Sequence, residues 1–275
     1  MASERAPAAR TRPGSLIVVG TGVEAISQVT LAAEGAIRTA DVVLYLVSDL
    51  LTIEWIHSVN RAATSLYPLY TPGGDRYNTY LQMVELILAE VRGGRRVCAV
   101  FYGHPGIAVT ASHRAIKQAR AEGYPARMLP GISALDCLIS DLGIDPAYAG
   151  LQSYDATDLI RQRERINPYC PLVVWQVGAT AETTFTPGSY NREGYLALID
   201  SLTAIYGSEH SATLYEAPFW TVCDARIETI LIRQLANVEP SLASTLYVPE
   251  RTPTADHLEP DHTTGLEHTH RGATR

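Results

Sequence analysis

"GSLIVVGTGVEAI", residues 14 to 26, opens with a short β-branched apolar run that closes on glycine. Such a run, apolar at every position rather than alternating, is the pattern of a strand buried on both faces of a parallel sheet. The turn "GTGVE" follows it directly. A helical pattern over residues 25 to 40, "AISQVTLAAEGAIRTA", and a second apolar strand over 41 to 47, "DVVLYLV", complete a β-turn-α-β opening. A helix over about 76 to 92 then stops at Gly93 and Gly94 and feeds the strand "RVCAVFYG" (96 to 103). After the turn "GHPG" comes another helix, "ASHRAIKQARAEG" (111 to 123), so the fold class is α/β.

The rhythm changes near "PARMLPGISALDCLISDLGID", where a short strand and a Pro-Gly turn lead into a helix of small and apolar residues. A domain boundary is placed near Leu129, giving an N-terminal α/β domain at 14–128 and a C-terminal α/β domain at 129–249. In the second domain "PLVVWQVGA", "SATLYEAP" and "STLYVP" read as strands; "GYLALIDSLTAIYG" and "IETILIRQLANV" read as helices. Residues 1–13 and the tail at 250–275, nearly free of large apolar side chains, are expected to be disordered. The tail's histidines read as solvated rather than metal-binding.

Of 275 residues, 46% are hydrophobic, enough for one large core or two adjacent ones. A net charge of −7 and the lack of a long Lys/Arg run argue against nucleic acid as a partner. No stretch resembles a signal peptide or reaches the eighteen or so apolar residues of a membrane span, so a soluble, cytoplasmic protein is expected. Cys98, Cys137, Cys170 and Cys223 are widely spaced, which predicts no disulfide framework, no metal site and mostly buried thiols.

Several turns carry candidate functional residues. "FYGHPG" (101 to 106) places Tyr102 at the carboxyl end of a strand, the ligand-facing edge of an open α/β sheet, beside His104, which is expected to bond backbone. "VVGTGVE" reads equally well as an ordinary βα turn or a cofactor loop, since it is not GxGxxG. "LPGISA" sets Ser133 at a helix start, where capping and binding compete as explanations. Gln176 in "WQVGA" and Ser244 and Thr245 in "STLYVP" put polar groups at strand ends; each alone reads as structural.

"LYTPGGDRYNTY" (69 to 80) is different. With a helix starting near Asp75, the residues Arg76, Tyr80, Met83, Val84, Ile87 and Val91 share one face. An arginine thus leads an otherwise apolar stripe. Burying an unpaired guanidinium is costly, so Arg76 must snorkel outward, meet a carboxylate, or face a polar cavity. Tyr70 and Tyr77 bring further hydroxyls nearby. Arg76 can stabilise a developing oxyanion, and a tyrosine whose pKa that cation lowers can take or relay a proton.

Taken together, "GSLIVVGTGVEAI", "LYTPGGDRYNTYLQMVEL", "FYGHPGIAV", "ARMLPGISALDCL", "DLGIDP", "WQVGA" and "STLYVP" resemble the borosin α-N-methyltransferases, a branch of the tetrapyrrole methylase superfamily. The resemblance runs in order from Gly14 to Pro249. It implies two α/β/α domains with an S-adenosylmethionine cleft between them, an interlocked homodimer, and repeated methylation of backbone amide nitrogens in a ribosomally made peptide. By position it implies active-site roles for Tyr70, Arg76, Tyr80 and Tyr102. It implies a cofactor pocket of Tyr102, His104, Ile107, Val109, Ser133, Ala134, Gln176, Tyr215, Ala217, Ser244 and Thr245, without metal.

Fungal members carry their substrate as a C-terminal extension, whereas this chain ends in a His/Thr/Glu-rich tail. The expected form is therefore the split bacterial type, acting on a separate precursor held by its leader region, with two precursors per enzyme dimer as one arrangement. The turns GTGVEA and GHPG depart from the Gly-Asp-Pro turns of methylases acting on tetrapyrroles, which argues against a porphyrinoid substrate. The competing readings are a C- or N-methyltransferase of a tetrapyrrole-like small molecule and a non-catalytic precursor-binding partner.

Overall fold

The computed structural model describes residues 13–252 apart from 187 and 189. The expectations of disordered ends concern residues that, but for a few at their inner edges, lie outside this set. Two five-stranded sheets organise the chain. The first contains β1 (Ser15–Gly20), β2 (Val42–Leu46), β3 (Ala63–Ser65), β4 (Arg96–Phe101) and β5 (Ala126–Met128), all parallel, in the order β3-β2-β4-β1-β5. Helices α1 (Leu31–Thr39) and α2 (Leu50–Val59) cover one face. Helices α3 (Arg76–Arg92) and α4 (Thr110–Ala121) cover the other. The alternation of Leu16 and Val18 toward one core and Val19 toward the other explains why β1 is apolar at every position.

After β1 the chain crosses toward β2, and after β4 it crosses the opposite way to β5. The carboxyl ends of β1 and β4 therefore flank the point where strand order reverses, the position at which open α/β sheets form a crevice. There Gly22 and Gly103 form an isolated antiparallel bridge. A Cβ on Gly20 would lie 1.9 Å from the Gly103 carbonyl oxygen, so the first glycine turn is small because a second backbone occupies the space.

The second sheet is mixed. It contains β6 (Gln152–Asp155), β7 (Leu172–Trp175), β8 (Ser211–Glu216), β9 (Arg226–Leu231) and β10 (Thr245–Val248), ordered β6-β7-β10-β8-β9. Helices α7 (Ala156–Gln162) and α8 (Arg192–Tyr206) pack on one face around Leu159, Leu198 and Leu202. Helix α5 (Ala134–Leu142) reaches the sheet through Asp141, which accepts a 2.7 Å hydrogen bond from the buried Tyr215 hydroxyl; the short α6 (Pro146–Ala149) follows it. No helix among the described residues is long and apolar enough to cross a membrane.

Three expectations need correction. The helix expected from residue 25 begins only at Leu31, capped by Thr30, because the Gln28 side chain accepts from the amides of Val23 (2.8 Å) and Glu24 (3.2 Å) and holds that stretch as a loop. Residues 227 to 238 were expected to be helical but form β9 and then a 3₁₀ turn over Ile232–Asn237. Ile227, Ile230 and Leu231 satisfy a helical period, yet six residues of β9 pair antiparallel with β8, an interaction no local pattern encodes. Only Cys98 of the four cysteines is buried; Cys137 and Cys170 are half-buried, and Cys223 sits exposed on the loop after Trp220.

Candidate active site

The site begins in a turn. Thr71-Pro72-Gly73-Gly74 closes with a 2.8 Å hydrogen bond from the Gly74 amide to the Thr71 carbonyl, with Gly73 at φ +74°. Asp75 then caps α3, its carboxylate accepting from the Asn78 amide at 2.6 Å, which starts the helix at Arg76. Residues of the second half grip this turn. The Gly73 amide donates to Phe185 (2.9 Å), the Phe185 amide to Gly74 (2.9 Å), and the Arg76 amide to Thr183 (3.0 Å), while Asp75 bridges Thr184.

Two lobes of one cleft, each of about 310 Å³, meet here. Lobe one runs along the ends of β4, β7 and β10 and the start of α5. Of the residues expected at the site, Tyr70, Arg76, Tyr80, Tyr102, His104, Ile107, Val109, Ser133, Ala134, Gln176, Ser244 and Thr245 all line it. Lobe two is lined by Ser48, Tyr67, Glu182, Thr184 and Phe185 among others. Tyr70, Arg76, Tyr102 and Gln176, together with Leu46 and Leu242, line both and so form the shared wall. Tyr215 and Ala217 line neither; the Tyr215 hydroxyl is turned to Asp141 instead.

Arg76 faces this cavity with no salt-bridge partner among the described residues, which decides among the three options open to a guanidinium at the head of an apolar stripe. Aromatic rings pack against one another along the same cleft. Tyr70 stacks on Phe185 (4.5 Å between centroids, 28°) and meets Tyr80 edge-on at 6.5 Å, and Tyr102 stacks on Phe219 at 5.9 Å. Burial, then the neighbouring Tyr80 hydroxyl, push the Tyr70 phenol well above its usual value, and the opposing pull of Arg76 is smaller. Burial likewise raises Tyr102, with Cys137 and Asp49 adding to it. The expectation that Arg76 lowers a tyrosine pKa therefore fails for Tyr70, because removal from water outweighs the cation. Both are neutral donors at ordinary pH.

The remaining polar residues have partners. His104 Nδ1 accepts from the Gly106 amide at 2.9 Å, a structural role. Ser133 caps α5 in a reciprocal box with Asp136, and still lines lobe one. The Ser244 hydroxyl donates to Glu216 and accepts from the Ser241 amide at 2.8 Å. Burial acts to raise the Glu216 carboxyl, but the hydrogen bonds from Ser244 and Ser241 and the Arg226 guanidinium outweigh it and hold the pKa low. Ala108 (φ +54°) and Gln176 (φ +56°) adopt the left-handed backbone rarely seen outside glycine, both on the wall of lobe one.

Sequence reasoning missed the lobe-two residues Tyr67, Glu182, Thr184 and Phe185. Tyr67 lies on a three-residue 3₁₀ turn (Tyr67–Leu69) and the others on an irregular segment, where no hydrophobic period singles out a position; "TTF" at 183 to 185 offers only a β-favouring composition.

The family model described as Tetrapyrrole (Corrin/Porphyrin) Methylases matches residues 15–214. Among solved structures, the methyltransferase CobJ superposes with a TM-score of 0.62 at 15% identity, covering 88% of this chain and 97% of that one. Uroporphyrin-III-C-methyltransferase from Thermus thermophilus gives 0.59 at 18% identity, covering 86% and 94%. Sequence relatives are nearer. The methyltransferase/ribosomally synthesized cyclic peptide dendrothelin A precursor of Dendrothele bispora is 42% identical over 88% of this chain and 59% of its own length. The corresponding omphalotin A protein of Omphalotus olearius is 40% identical over 91% of this chain and 61% of its own. The chain thus spans about three-fifths of the length of the relatives it matches. With two hundred residues matched to the family model, the chain belongs to the tetrapyrrole methylase family of methyltransferases.

Proposed function

We propose that this protein methylates backbone amide nitrogens of a ribosomally made precursor peptide, using S-adenosylmethionine. One observation carries the reading: an arginine without a salt bridge stands with neutral phenols on the wall common to two lobes. The names of the relatives, all methyltransferases joined to peptide precursors, support the same substrate class.

The chemistry of lobe one suits the cofactor. Ile107, Val109 and Met83 give an apolar surface for a purine, Thr245 and Gln176 offer polar contacts, and the rings of Tyr70, Tyr80 and Tyr102 suit a sulfonium cation. No carboxylate or lysine is among the residues lining this lobe. When bound, S-adenosylmethionine supplies an electrophilic methyl group on a positive sulfur.

The substrate amide would lie at the shared wall with its chain in lobe two. A peptide N–H is an extremely weak acid, so nitrogen becomes nucleophilic only as charge moves onto oxygen. Arg76 donates to that oxygen and stabilises the imidate. Tyr80 takes or relays the proton leaving nitrogen, while Tyr70 and Tyr102, held neutral by burial, orient the amide and exclude water. The reading includes a homodimer, repeated action along one peptide, and a precursor separate from the enzyme. Since the relatives join enzyme and precursor in one name, the last point is tested by supplying peptides in trans. Co-expression with small open reading frames of neighbouring genes should give peptides heavier by successive methylene units, located in the backbone by fragmentation. Binding of S-adenosylhomocysteine without mass gain on any peptide would favour a non-catalytic partner and end the peptide-methylation reading.

A further inference from the structure

The residues lining the two lobes include a single carboxylate, that of Glu182 in lobe two. Its placement is fixed from its own turn: Oε1 accepts from the Thr184 amide at 2.9 Å and from the Thr184 hydroxyl at 2.6 Å. Both bonds go to one oxygen, and the Thr183 backbone adds to the anchoring, so the carboxylate is fixed to its own turn. The same turn holds residue 76 by the backbone, through the 3.0 Å bond from the Arg76 amide to the Thr183 carbonyl and the bridge between Asp75 and Thr184. The Arg76 guanidinium and this carboxylate thus line one lobe from elements already tied together.

We infer that Glu182 is a positioning residue that holds the Arg76 side chain against the wall between the lobes. This rests on the methyl-transfer reading for its consequence in rate, and on geometry alone for the aim of Arg76. A flexible three-methylene arm ending in a guanidinium, with no salt-bridge partner, samples many rotamers in a cleft, and each costs alignment at the reacting amide. The hydrogen bonds to Thr184 hold the Glu182 carboxyl below its usual pKa, with Arg76 contributing in the same direction, so the charge that steers the guanidinium is present throughout the neutral range. Glu182 stands outside ion-pair distance of Arg76 among the described residues, so it steers through charge and an intervening water rather than by neutralising the cation.

Two measurements test this in the full chain. First, the Arg76 Nε–Hε resonance, assigned by its loss in Arg76→Lys, is followed by NMR with S-adenosylhomocysteine bound. It is expected to be sharp in the native protein, broadened in Glu182→Gln, and restored in part by Glu182→Asp. Second, on a methylated precursor, Glu182→Gln is expected to lower kcat about tenfold to a hundredfold, with KM and S-adenosylhomocysteine affinity within about threefold of native. Thr184→Val, which removes the hydroxyl bond to the carboxylate and keeps the amide one, should fall between. An unchanged Arg76 resonance in Glu182→Gln, or a rise in KM at native kcat, would overturn the inference, the latter by making Glu182 a substrate contact. If the resonance broadens but the native protein methylates no peptide, the positioning role stands and the methylation reading falls.

Discussion

The two sheets contribute to the cleft in different ways. The parallel sheet and α3 carry the groups assigned to chemistry, with Tyr102 at the end of β4 and Arg76 and Tyr80 on the first turns of the helix. The mixed sheet gives strand ends and loops that shape the cleft and hold the first set in place: Gln176, Ser244, Thr245 and the 182–185 segment. A parallel sheet collects all its carboxyl ends along one edge, so side chains from distant positions converge without special loops. A mixed sheet cannot do this, and its contribution comes through irregular segments that reach across.

The largest effect expected from probing this division is alkaline unfolding. Burial raises the phenol pKa of Tyr70 and Tyr102 in the first half and of Tyr195, Tyr206 and Tyr215 in the second. Below about pH 10 these phenols are protonated in both folded and unfolded chains and contribute no pH dependence. Above it the unfolded chain releases protons that the folded one retains, so stability falls as pH rises. The Cys98 thiol, pushed up to about 12 by burial, adds to the same slope from a lower starting pH. Thermal melts between neutral and strongly alkaline pH should show a steep loss of Tm; a flat profile would mean that the rings are hydrated.

Next in size is Arg76→Ala, expected to lower kcat by a factor of about a hundred or more, roughly 3 kcal/mol, while S-adenosylhomocysteine still binds in calorimetry. Equal loss of both would place Arg76 in cofactor binding and erase the functional contrast between the halves. Gly20→Ala tests the first half's architecture. The new Cβ would lie 1.9 Å from the Gly103 oxygen, and a loss of about 3 kcal/mol in denaturant unfolding is expected. The smallest effect should come from Tyr215→Phe, which removes the bond from the mixed sheet to Asp141 of α5; about 1 kcal/mol of stability should go, with kcat unchanged. A drop in kcat there would show that Tyr215 reaches the cleft chemically after all.

Most of the first half was legible because its signals are local. "SLIVVG" and "RVCAVF" are apolar throughout since both faces of their sheet are covered, and Gly93 and Gly94 stop α3 where expected. Arg76 stood out because a cation on an apolar stripe needs an explanation. In the second half the decisive contacts are long-range. Residues 227 to 231 look helical until β8 claims them as a strand, and Tyr215 looks like a pocket residue until Asp141, 74 positions earlier, takes its hydroxyl. Glu182 and Phe185 left no trace because they matter only beside a turn more than a hundred positions away.

The grip of residues 183 to 185 on the Gly73–Arg76 turn also makes α3 a lever. Its far end is wedged against the residue that leads into β1, where a Cβ on Gly14 would meet the Val91 carbonyl oxygen at 1.8 Å, and its near end is stapled to the other half of the molecule. At about 1.5 Å per residue the 17-residue rod spans roughly 25 Å. Torque between the two sheets is therefore delivered at its first residue. Any force that shifts one sheet against the other is felt where the guanidinium is mounted.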